Sequence, residues 1–161
     1  MEKRSGSKKG CMGVTQTEVL VACLIITIMG TFSAPALSSW LRSAQLKAAA
    51  RDLYGNLQRT KMLAIKNNTD CSITYGQLPD RYVVSGITRT VNLSEYGNGV
   101  RFEGPQGQTF SVPTITFNNR GTCNAGYAYL TNEDRTAYYR VGPSWSSGMI
   151  RFQQYSSGEW R

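Results

Sequence analysis

Residues 19 to 41 contain no charged side chain. They read Val-Leu-Val-Ala-Cys-Leu-Ile-Ile-Thr-Ile-Met-Gly-Thr-Phe-Ser-Ala-Pro-Ala-Leu-Ser-Ser-Trp-Leu. As a helix the run is roughly 35 Å long, enough to cross a bilayer core. Its most apolar part, Val19–Met29, is shorter, so a secretory signal peptide competes with an anchor. A signal would have a basic front, here Lys3, Arg4, Lys8 and Lys9, and a small-residue cleavage site, here Ala34-Pro35-Ala36. Two features oppose it. Glu18 stands at the edge of the apolar run, and a carboxylate at membrane depth is costly and usually functional. The helical pattern also runs past Ala36: Leu46, Ala50, Leu53, Leu57 and Ala64 recur at steps of three, four and seven, to about Lys66. A signal peptide has no reason to be continuous with the mature helix.

The rest of the composition narrows the chemistry. The 161 residues include no histidine, which removes Ser-His-Asp and Cys-His nucleophiles and histidine metal sites. The acids are scattered singly; only Glu133 and Asp134 adjoin, in an expected turn. No enzyme activity, cofactor or metal is expected. The formal charge is +8. Residues 1–13 hold four basic side chains against Glu2, a net of +3, which leaves a mildly basic +5 for the remainder. A solvated surface or an acidic partner accounts for that charge.

The segment before the apolar run reads Gly13-Val14-Thr15-Gln16-Thr17-Glu18. It resembles the type IV pilin family, which includes the pseudopilins of type II secretion: a short basic leader ending in Gly, an apolar residue, Thr, two variable positions and Glu. Pro35 matches the proline common late in that family's apolar helix. Val14 stands where Phe or Met is usual, and Gln16 is more polar than the usual Leu. The resemblance implies a prepilin peptidase that cuts after Gly13 and N-methylates Val14. It implies that Glu18, with Thr15 beside it, pairs with a neighbouring subunit's terminal amine during assembly. The processing motif places the N-terminus in the cytoplasm and the C-terminal domain in the periplasm, on a single inner-membrane pass.

A leader over 1–13, an assembly helix over 14–37 kinked at Pro35, an amphipathic continuation over 38–68 and a β-rich domain over 69–161 follow. Asn67-Asn68 ends the helix. Candidate strands are 72–75, 82–85, 88–93, 100–102, 114–117, 127–130, 137–141 and 149–155, punctuated by Gly, Pro and Asn. The expected fold is α+β, with the helix packed on two small antiparallel sheets. Ile115-Thr-Phe117, Asn118-Asn-Arg120-Gly121, Arg140-Val141 and Ile150-Arg151, with Ala48-Ala-Ala-Arg51-Asp-Leu53 in the helix, are similar to the GspH/FimT group of minor pseudopilins and minor pilins.

In that setting Cys11 lies in the leader, Cys23 in the apolar run, and Cys71 and Cys123 in an oxidising compartment. Cys71 and Cys123 are expected to form a disulfide worth about 4 kcal/mol on the chain-entropy account; two buried free thiols are the alternative. Late aromatics interleave with Arg120, Arg140, Arg151 and Arg161. Such a set can grip nucleic acid by stacking and phosphate contact, and some members of the resembled group bind DNA during uptake; the alternative is a strand that simply alternates between a buried and a solvated sheet face. The expected function is a minor pilin or pseudopilin that assembles with other pilins through its helix and primes or caps a filament. A filament-borne DNA-binding subunit and a secreted β-rich protein cleaved after Ala36 are the alternatives.

Overall fold

The computed structural model describes residues 15–76, 79–144 and 147–161; the side chains of 31–36 lie outside that description. It forms two units, one ending at Ser38 and one spanning Ser39–Arg161. Helix α1 spans Gln16–Asn67. It starts where the Thr15 carbonyl accepts from the amides of Glu18 (3.0 Å) and Val19 (3.2 Å). It stops at Asn68, whose φ of 53° is left-handed, while the Thr69 amide reaches back to the Ala64 carbonyl at 3.2 Å. Asparagine tolerates that conformation and so closes the helix here.

Among the described residues eight strands follow: β1 Cys71–Tyr75, β2 Arg81–Val84, β3 Arg89–Asn92, β4 Thr114–Phe117, β5 Ala128–Thr131, β6 Tyr138–Pro143, β7 Ile150–Ser156 and β8 Glu159–Trp160. They form two four-stranded antiparallel sheets, ordered β3-β2-β1-β4 and β5-β6-β7-β8. The expected α+β fold with two small sheets is therefore the one observed. Residues 100–102 make only an isolated bridge, Arg101 to Thr131. The short β8 had no expected counterpart, because two residues carry no periodicity.

In the unit Ser39–Arg161, Leu46, Ala49, Ala50, Leu53, Leu57 and Ala64 of α1 are 0% exposed. They meet Ile73, Val84, Val91, Ile115 and Phe117 from the first sheet and Ala128, Leu130 and Val141 from the second, all equally buried. Burial alternates along β1 and β4, as a sheet with one covered face requires. Loop aromatics join the sheets: Tyr75 stacks on Phe110 at 5.9 Å and meets Phe102 edge-on at 5.8 Å.

Asp52, beside the buried stripe of α1, is a hub. Its Oδ2 accepts from the Tyr96 hydroxyl (2.6 Å), the Asn56 amide (2.8 Å) and the Tyr82 hydroxyl (3.2 Å). These bonds fasten α1 to β2 and the turn at 93–95. Burial and the adjoining carboxylate raise the Tyr82 and Tyr96 hydroxyls above their ordinary range.

Candidate assembly helix and surface groups

Glu18 lies in the first turn of α1, where a carboxylate complements the helix dipole. Thr15, Glu18, Ala22 and Ile25 fall at steps of three and four, on one helix face. With Thr17 and Val21 they line an open groove of ≈ 500 Å³. The groove holds one carboxylate against a wall of aliphatic side chains. A cation is the complement of such a wall, and it would gain most once the site is dry.

Around Glu18 the helix is uncovered on every side. Residues 15–30 are all exposed, including Leu20 at 64%, Ile26 at 69% and Met29 at 67%. Among the described residues no helix is long and apolar enough to cross a membrane. The apolar stretch with described side chains is Val19–Gly30, twelve residues, against about 20 for a full span. Gly13 and Val14, the expected processing site, lie outside the described residues, as does the Pro35 side chain.

The expected disulfide is absent: Cys71 and Cys123 are both buried free thiols. The register gives the reason. Cys71 pairs with Phe117, and Phe117 bridges to Cys123 on its other side. One strand therefore separates the two cysteines, about 10 Å at ~5 Å per partnered pair, whereas a disulfide needs Cα atoms within about 7 Å. Burial raises the Cys123 thiol, partly offset by the Lys61 ammonium.

The four candidate arginines do not form one set. Arg120 lies in the Asn118–Thr122 turn after β4. Arg140 belongs to β6, its guanidinium held 4.6 Å from the Tyr127 ring and 4.8 Å from the Trp160 ring, with Nε donating to Gln153 at 2.9 Å. Trp160 also meets Tyr155 at 5.1 Å and Tyr129 at 5.6 Å. The Arg140 clasp thus pins β8 across the outer face of its sheet. Arg151 is exposed opposite Gly142, and the Arg161 backbone closes against Gln154. Among the described residues no group of three or more His, Cys, Asp or Glu could hold a metal ion.

No protein-family model matches the sequence, and no curated protein is significantly similar to it. Among solved structures, the type IV minor pilin FimU of Pseudomonas aeruginosa is similar with a TM-score of 0.55 at 16% identity, over 74% of this chain and 94% of that one. A second crystal form of FimU gives 0.46 at 17% identity, over 71% and 96%. The first likeness shows a shared type IV pilin-like fold.

Proposed function

We propose that the chain is a minor pilin or pseudopilin, a subunit built into a type IV pilus or a type II secretion pseudopilus through the N-terminal half of α1. One observation carries the reading. Val19 to Met29 exposes aliphatic side chains all round the helix, beside the carboxylate of Glu18. Exposure of that extent is unfavourable in water by roughly 25 cal/mol per Å², so lipid or other helices must cover it. In the membrane an unpaired carboxylate is costly, and a partner's terminal ammonium relieves both groups together. Glu18 would then set subunit register. The leader motif supports cleavage after Gly13 and methylation of Val14 by a prepilin peptidase. The same motif supports an inner-membrane precursor with its β-rich unit in the periplasm, and Pro35 as a kink in the spanning helix. Priming or capping a filament is the role this reading assigns.

The DNA-binding alternative draws less support, because Arg140 is engaged by its aromatic clasp and Arg120 stands on a turn of the other sheet. The test is incorporation. Glu18→Gln, expressed beside the filament's other subunits, should leave the chain in the membrane fraction and remove it from sheared filaments. Unchanged incorporation of that variant would sink the proposal.

A further inference from the structure

One flank of α1 within the unit Ser39–Arg161 is left uncovered by the sheets. Gly55, Gln58, Arg59, Met62, Leu63 and Lys66 recur at steps of three and four and line an open groove of ≈ 350 Å³. The buried stripe of Leu53, Leu57, Thr60 and Ala64 occupies the other side of the same turns. Gly55 leaves a notch: a Cβ built there meets nothing within 4 Å. Met62, at 68% exposed, is an unbranched side chain that adapts to an incoming apolar surface. Arg59 and Lys66 stand seven residues apart, about 10 Å along the helix. No carboxylate lines the groove, and no ion pair among the described residues uses either cation.

We propose that this groove docks an amphipathic helix from a different filament subunit, one whose apolar ridge carries two carboxylates seven residues apart. The inference rests on the filament-subunit reading, from which it takes the class of partner. The chemistry of the partner comes from the groove: an apolar floor with a glycine notch admits a helix ridge at close range, and two unpaired cations two turns apart ask for matched anions. A second copy of this chain does not supply them. Its α1 holds only two acids, Glu18 and Asp52, far apart along the helix, and Asp52 already accepts from Tyr82, Tyr96 and Asn56. An anionic membrane surface fits less well, because interfacial helices bury a broad row of apolar anchors, and the large apolar side chains lining this groove are Met62 and Leu63.

The test uses the full-length chain in detergent and a labelled, designed amphipathic peptide with a leucine ridge and two glutamates seven residues apart, read by fluorescence anisotropy. Matched peptides carry glutamine or lysine at the two positions. The glutamate peptide should bind saturably, and Met62→Glu should weaken it by about tenfold or more, as should Arg59→Glu combined with Lys66→Glu. The lysine peptide should bind that double reversal and not the parent. All three side chains are exposed or point to the groove, so unchanged circular dichroism and melting would show that the variants stay folded. Absence of saturable binding overturns the proposal, as does equal binding of the glutamine peptide or indifference to Met62→Glu. Peptide binding that survives the double reversal, beside weaker adsorption of that variant to phosphatidylglycerol vesicles than of the parent chain, overturns it in favour of a lipid surface. The peptide assay involves no filament. Its failure beside a positive Glu18 result would remove the groove and leave the subunit reading standing; the converse would remove that reading and leave the groove.

Discussion

Residues 19–29 and 46–64 belong to one helix and are covered in opposite ways. The first stretch is apolar on all sides and exposed on all sides. The second carries its continuous apolar stripe on one side, and that stripe is sealed against two sheets of the same chain. An amphipathic stripe finds its cover within the molecule; a stretch that is greasy all round has to find it elsewhere. On the proposed function, the contrast divides the chain into a part covered from within and a part that assembly would cover.

The largest expected effect comes from placing a charge in the uncovered stretch. Ile26→Asp should abolish membrane retention and filament incorporation, since an acid at the centre of such a helix costs roughly 3 kcal/mol. The melting temperature of the β-rich unit should not move. A lowered melting temperature would break the division between the two stretches.

Next is the covered stretch. Leu53 is 0% exposed in the core, so Leu53→Ala should cost about 2–5 kcal/mol in denaturant unfolding. Asp52→Ala should cost less, about 1–3 kcal/mol, because three donors lose one acceptor. The tyrosine hydroxyls add a pH dependence. Their folded pKa values lie above the ordinary one of about 10, so the folded state holds its protons longer than the unfolded state. Their contribution is full below about pH 10 and declines as pH rises above it. Alkaline titration of unfolding should show that decline, and Tyr96→Phe should reduce it.

The smallest effect concerns the thiols. With Phe117 between Cys71 and Cys123, a reducing agent should leave the melting temperature unchanged. A drop of several degrees on reduction would restore the disulfide expected from compartment alone.

Much of this was legible in the sequence, for reasons that particular residues make plain. The stripe from Leu46 to Ala64 is periodic, and Asn68 marks a left-handed stop, so the helix end was readable to a residue. Thr114–Phe117 alternates cleanly and was read with its observed bounds, while the other expected strands that form differ by one or two residues at their ends. What could not be read depended on partners distant in the chain. The role of Asp52 emerges only when Tyr82 and Tyr96 reach it. Cys71 and Cys123 look like a pair until the register places Phe117 between them. β8 is visible only through the Trp160 contacts that hold it. The groove at Gly55 and Met62 has no sequence signature, because it is the side of the helix that packing leaves over.

On the proposed function, the mature chain starts at Val14 and keeps the exposed run that follows Glu18. The intact mass of the membrane-extracted protein, expressed with a prepilin peptidase, tests it most directly. The expected product is a chain that starts at Val14 and carries one added methyl group. A chain that starts at Leu37 would contradict it and leave a secreted β-rich protein without an assembly helix.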